Sequence, residues 1–363
     1  MPSEDRRPSP DPVAWDVAER VAVRVARREP LADSYHYASL VPDFDEFTAE
    51  AEELVAAETG LRSLSGPARV RVTDRPGWIR ANLASFRRLL RPLTERLGSR
   101  LGNGPMAGAG RSVAGAEVGA LLGWMSTRVL GQYDLLIIEN EDPEDQDIVY
   151  YVGPNVLALE KRFAFPPREF RLWLALHEVT HRAQFTGIPW MRPHFLSLVD
   201  ATLSAFDPDP KRFLAALRRA VEAARAGQNP LDEGGLVTLL ASPEQHAVLQ
   251  RVQGLMSLLE GHGDLVMDRA AAGRIPSAER FRQVLHQRRQ ATGAARLLQK
   301  LVGVEAKLRQ YQQGEEFLAA VEASDVASVD LLWRGPEWIP SLPEIKDPDL
   351  WLTRVSQARA AAS

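Results

Sequence analysis

The chain has 363 residues, with 44 lysines and arginines against 48 aspartates and glutamates, and no cysteine. Its 45% hydrophobic and 25% charged content is that of an ordinary globular protein and excludes wholesale disorder. A net charge of −4 supplies no basic footprint for nucleic acid or an anionic membrane, and without cysteine there are no disulfides, thiolate nucleophiles, iron–sulfur clusters or thiolate-bound zinc.

Any metal must therefore sit on His, Asp or Glu. The longest charge-free stretch, Ile148 to Leu159, is too short to cross a bilayer and is broken by Gly153 and Pro154. The N-terminus has no apolar signal-like run, so the expectation is a cytoplasmic protein without membrane or nucleic-acid partners.

Residues 1–12 are Pro-rich and charged and are expected to be disordered. Helical spacing of apolar residues follows over Val13–Arg28, and again over Asp43–Glu58 with Asp43 or Asp45 as N-cap. Arg69–Thr73 alternates strictly and reads as a short strand or extended lead-in. Trp78–Leu97 reads as a helix interrupted by Pro92, Gly102–Gly110 as a flexible loop, and Ala114–Leu130 as a small-residue helix packed closely on its neighbours. Short strands are expected at Asp134–Glu139, Asp147–Val152 and Val156–Leu159, set apart by acidic and Gly-Pro-Asn turns.

After Pro166 the pattern is helical: Arg168–Phe185, Pro193–Phe206, Pro210–Ala226, Ser242–Ala272, Ser277–Leu301 and Val304–Ser324. Ser242, Pro243 and Gln245 make a helix start with a capping box. The fold class is mainly α (α+β), a helical bundle with one small β-sheet beside the helix at 168–185. Residues 13–330 are expected to form one compact unit, with a helical part at 13–130 and a metal-site part at 131–330. Residues 331–363 make an extended strap, docking Trp333 and Trp338 on the body, plus a short helix.

The chemistry concentrates in Phe170-Arg-Leu-Trp-Leu-Ala-Leu-His177-Glu178-Val-Thr-His181-Arg-Ala-Gln-Phe185. Here H-E-x-x-H lies within a helical pattern, and i, i+4 spacing puts both imidazoles on one face, one turn apart. Two neutral imidazoles so placed can share a zinc ion, and Glu178 between them is the candidate general base on a zinc-bound water. Arg182 is a departure, because zinc metallopeptidases usually keep this position uncharged.

Catalytic zinc needs a third protein ligand. The other histidines, His36, His194, His246, His262 and His286, are candidates along with many carboxylates. A metzincin pattern would need His at position 187, which is glycine. Glu260 and Asp264 lie four apart on one helix face, and two carboxylates on a buried face need a cation or a large pKa adjustment. His262 is the rival ligand, on a different face from Glu260. Gly261 and Gly263 are expected to let this helix approach the H-E-x-x-H helix.

The E-x-x-x-D spacing resembles the gluzincin branch of zinc metallopeptidases. That resemblance implies Glu260 as third ligand and Asp264 as the residue hydrogen-bonding the outer nitrogen of a ligating histidine. Further segments are Asp74-Arg-Pro-Gly-Trp78 with Asn82, Ser85 and Phe86, then Leu130-Gly-Gln-Tyr-Asp134 and Val152-Gly-Pro-Asn155. Leu259-Glu-Gly-His-Gly-Asp264, Lys307-Leu-Arg-Gln-Tyr311 through Phe317, and Trp333 to Pro340 complete the set.

Together they resemble a family of zincin-like metallopeptidases, or hydrolases, found mainly in high-GC Gram-positive bacteria. One subgroup is labelled as associated with coenzyme F-420 biosynthesis. The resemblance spans nearly the whole chain and implies a zincin fold and a Zn2+ cofactor; it supplies no substrate, and a peptide or protein chain is the expectation from the metallopeptidase reading alone. Tyr311 and Arg309, inside a segment of strong likeness, are candidate donors to a developing oxyanion. Asp147–Val152 or Val156–Leu159 is the expected edge strand for an extended substrate. The alternative is a zincin-fold protein that binds a partner or ligand without proteolysis.

Overall fold

Alternating apolar and charged residues after Asp11 build α1 (Trp15–Ala26), whose Ala18, Ala22 and Ala26 are buried. The computed structural model describes residues 11–27, 31, 34–91, 105–134, 147–204, 243–289 and 304–362. Their contacts divide into two units: Met1–Ala51 with Pro67–Glu178, and Glu52–Gly66 with Val179–Ser363. The architecture is mostly helical with one three-stranded sheet, as the sequence predicts.

In the first unit a short 3-10 turn, Tyr35–Ser39, leads into α2 (Leu40–Thr59), which begins three residues before the expected Asp43. Strand β1 (Arg69–Thr73) is followed by α3 (Arg75–Leu89), capped by Asp74, whose carboxylate accepts from the Gly77 N–H at 2.7 Å. Helix α4 (Pro105–Ser126) contains residues 105–110, which composition assigns to a flexible loop. The correction has a physical reason: in α4, glycine serves contact rather than flexibility. A Cβ at Gly115, Gly119 or Gly123 would run into the carbonyls of Ala14, Ala18 and Ala22 respectively. Glycines every four residues on α4 thus meet alanines every four on α1, and the two backbones touch. Trp78, Ile79 and Leu83 of α3 close this cluster with Leu122 and Val152.

The sheet order is β1-β3-β2, with β2 (Gly131–Tyr133) antiparallel and β1 parallel to the central β3 (Ile148–Val152). All five residues of β3 are buried. Two expectations are corrected here. The Asp147–Val152 segment is the central strand, so it offers no edge to a substrate. Val156–Leu159 lies inside α5 (Gly153–Phe163), because Gly-Pro-Asn starts a helix with Pro154 in its first turn rather than closing a hairpin. The strand expected at 134–139 lies outside the described residues beyond Asp134, and β2 sits just before it.

Helix α6 (Pro167–Thr186) carries the H-E-x-x-H motif. In the second unit come α7 (Met191–Ser204), α8 (Pro243–Ala271), α9 (Ala278–Arg289) and α10 (Val304–Glu322). The helix expected at 210–226 and the N-cap at Ser242 lie outside the described residues. Helices α8 and α10 touch through glycine. A Cβ on Gly261 would strike the Gly314 backbone, and one on Gly314 would strike the Ser257 carbonyl. Gly261 therefore admits α10; the expected approach to the H-E-x-x-H helix is not its role.

Residues 331–345 are not the extended strap expected. Pro336 and Pro343 each fall in the first turn of a short helix, and 3-10 turns at Val329–Trp333 and Pro336–Trp338 lead into α11 (Leu342–Lys346) and α12 (Pro348–Ala362). Leu331, Leu332, Ile345, Trp351 and Val355 pack with Leu258, Phe317, Leu318 and Val321. The Trp351 indole donates to the Trp338 carbonyl at 2.8 Å, and the Trp190 indole to the Trp333 carbonyl at 2.9 Å. Among the described residues no helix is long and apolar enough to cross a membrane.

Candidate metal centre

Two charged anchors hold the motif helix. Arg171 is almost fully buried and forks onto Glu160 of α5, at 2.8 and 2.9 Å, while a third nitrogen reaches Asp43 of α2 at 2.6 Å. A bidentate guanidinium–carboxylate pair fixes orientation as well as distance. One turn beyond the motif centre, Arg182 explains its own departure from the usual pattern. Only 1% exposed, it binds Glu52 at 2.6 Å and the Gly66 carbonyl at 2.8 Å, so its charge is satisfied within the second unit. Between these anchors Leu172, Trp173, Leu174, Ala175, Leu176 and Val179 are buried, as is Phe170 just before them, which seats the helix in an apolar surround.

Against that frame His177 and His181 stand one turn apart and partly exposed. Glu260 of α8 is buried, and its Oε2 lies 3.5 Å from His181 Nε2. His177, His181 and Glu260 each present one ligand atom, all within 4.8 Å of one another. His36 is exposed and lies tilted against Tyr35, and His194 packs edge-on to Trp190, its pKa lowered by burial and by Arg251. Neither these nor His246 belong to the group. The side chain of His286 and those of Arg309 and Tyr311 lie outside the described residues, although Tyr311 is on α10. Asp264 lies one turn beyond Glu260 on α8, half-buried.

The donor set fits a catalytic zinc. Two imidazole nitrogens and one carboxylate oxygen are the ligands of a three-residue zinc site that keeps a fourth position for reactant. Calcium or magnesium would call for more oxygen donors. Gly187, the position where a metzincin carries a histidine, has no room for one. The Arg62 carbonyl lies 2.8 Å from where its Cβ would stand.

Glu178 is buried, and its Oε2 accepts from the Tyr133 N–H at 3.1 Å. The β2 backbone is bare where the carboxylate rests: a Cβ on Gly131 would lie 2.6 Å from Glu178 Oε1. Strand β2 is thus a cradle for Glu178, built from a backbone amide and a missing side chain. Sequence reasoning missed it, because a backbone N–H leaves no residue signature; the glycine in Leu130-Gly-Gln-Tyr was the available signal.

Sequence reasoning also missed Gln184. It is fully buried, and its Oε1 lies 3.0 Å from His181 Nδ1. Its Nε2 lies 3.0 Å from the Leu259 carbonyl and 2.9 Å from His262 Nδ1. The signal was its place three residues after His181, hence on the same helix face. His262 is buried against Gln184 on one side and the Trp333 ring, 4.8 Å away, on the other. Burial, reinforced by His181 and Arg269, lowers its pKa to about 3, so it is neutral at physiological pH.

A helix carrying H-E-x-x-H, with a buried glutamate completing a His-His-Glu group, defines the class of zinc-site proteins called zincins. The chain matches the zincin-like metallopeptidase family over residues 13–352 and belongs to it. It is also similar to a protein of known structure from Chloroflexus aurantiacus, described as "a putative hydrolase with a novel fold". The two are 30% identical with a TM-score of 0.67, over 94% of this chain and 98% of that one. No curated protein matches the chain.

Proposed function

We propose that the protein is a zinc-dependent hydrolase, specifically a cytoplasmic metallopeptidase acting on peptide or protein chains. The observation that carries this reading is the convergence of His177, His181 and Glu260 within 4.8 Å, on the helix that also bears Glu178 and on α8. These three residues would hold zinc, which supplies Lewis acidity toward water and a scissile carbonyl. Glu178 does the proton work. Its carboxylate takes a proton from the attacking water and returns it to the leaving amine. The Tyr133 amide and the bare Gly131 backbone set where that carboxylate sits. We assign Asp264 to orienting a ligating histidine, the part the corresponding Asp plays in gluzincins, and Tyr311, from its segment of strong family likeness, to donating toward the developing oxyanion.

The test compares wild type, Glu260→Ala and Glu178→Gln, each purified without added metal and then supplied with zinc. Metal content by mass spectrometry is expected to be stoichiometric in wild type and Glu178→Gln and largely lost in Glu260→Ala. Cleavage of a mixed peptide library is expected from wild type and should fall by about 10²-fold or more in Glu178→Gln. Zinc bound without any cleavage favours the alternative, a ligand-binding zincin of the kind that coenzyme F-420 metabolism would employ. A wild type that takes up no zinc ends the metalloenzyme reading.

A further inference from the structure

Gln184 sits where three hydrogen bonds determine one another. The Leu259 carbonyl can only accept, so the Gln184 atom 3.0 Å from it must be the amide NH2. That NH2 has a second proton, and it faces His262 Nδ1 at 2.9 Å. His262 Nδ1 therefore accepts. The remaining Gln184 atom is the carbonyl Oε1, an acceptor, 3.0 Å from His181 Nδ1. His181 Nδ1 must then carry the proton. Nε2, the nitrogen 3.5 Å from Glu260 Oε2, is then the ring atom left to offer a lone pair.

We propose that Gln184 is a positioning residue for the metal centre: oriented by the Leu259 carbonyl and His262, its amide locks His181 in the Nδ1–H tautomer with Nε2 turned toward Glu260. The inference rests on the zinc reading of the site for its consequence, though not for the tautomer itself. Orientation by a neutral amide differs from orientation by a carboxylate. It fixes the ring and its tautomer without adding negative charge behind the ligand, and it ties His181 on α6 to the α8 backbone at Leu259, the residue just before Glu260. His262 acquires a role here as well. As an acceptor wedged between Gln184 and Trp333, it stops the amide from flipping.

Two measurements test this. The first needs no variant: two-bond 1H–15N correlation spectra of metal-free wild type, labelled at histidine, report which ring nitrogen carries the proton. His181 is expected as the Nδ1–H tautomer and His262 as Nε2–H. The second is zinc affinity of Gln184→Met by competition with a chromogenic chelator, with thermal unfolding of the metal-free forms alongside. Zinc is expected to bind about 10–100-fold more weakly, as for other partners of ligating histidines. His181 in the variant should show a mixture of tautomers.

A wild-type His181 in the Nε2–H form overturns the proposal, and so does a folded Gln184→Met that binds zinc as wild type does. Should that variant fail to fold, the wild-type spectrum decides. Wild type with the expected tautomers but no zinc affinity sinks the enzyme reading, whereas tight zinc binding with the wrong tautomer sinks only the role of Gln184.

Discussion

Glu178 illustrates how a single side chain is placed by what its neighbours lack. A backbone N–H holds its carboxylate, and it fits because residue 131 has no Cβ. Gly131→Ala should therefore push the carboxylate off its seat while leaving His177, His181 and Glu260 in place. The expected result is full zinc content with peptide cleavage reduced by roughly 10²-fold, the order of loss for an ångström-scale misplacement of a reacting group. Unchanged cleavage by this variant would remove the cradle from the account. Arg182 makes the converse point. An arginine beside a metal ligand looks unsuited to a zinc site until its contacts with Glu52 and the Gly66 carbonyl are known. Its charge then belongs to the packing of α6.

Between elements, contact is governed by small residues and by caps. The α1–α4 pair approaches to backbone contact because glycines every four residues meet alanines at the same period. Helix α11 depends on a cap. Glu344 reaches back to the Ser341 N–H at 2.7 Å and to its hydroxyl at 2.9 Å, and receives the Arg354 guanidinium at 2.6 Å. Burial alone would raise the Glu344 carboxyl, but Arg354 and Ser341 overcome it and hold the pKa below the ordinary value of 4.5. The sign follows. A depressed carboxyl stabilises the folded state above its unfolded pKa and loses that contribution as pH falls through the folded value. Glu344→Gln should lower the melting temperature at pH 7, a cap loss of about 1 kcal/mol. The deficit should shrink below pH 4.5, the ordinary value, as the wild-type carboxyl protonates. A deficit that stays constant down to pH 3 would contradict this assignment.

For the whole molecule, the apolar clusters and the candidate metal group are made of different residues. The clusters around Trp78 and around Phe317 and Trp351 contain no metal ligand. Zinc removal should therefore leave helical content intact while lowering the unfolding temperature. A ligand bound only by the native state stabilises it by about 2.7 kcal/mol at a hundredfold excess over Kd. Circular dichroism with and without a chelator measures both quantities. An unfolding temperature insensitive to zinc would argue against a native metal site, and collapse of the helical signal would show that the clusters do not stand alone.

The sequence by itself determined the motif helix, the long α8 with Glu260, and a mostly helical fold with a little sheet. Those features are written in periodicities of three and four residues, and i, i+4 spacing places His177 and His181 without reference to anything distant. Tertiary structure alone decided the rest. Val156–Leu159 is apolar enough for a strand or a buried helix, and only the start at Gly153-Pro154 against the sheet resolves it. Gly261 could face any neighbouring helix, and it is Gly314 that it meets. The cradle for Glu178 is a backbone amide 45 residues away. The clamp on His181 needs a carbonyl 75 residues beyond Gln184. Contacts of that range depend on which faces the chain folds together, and local spacing carries no record of them.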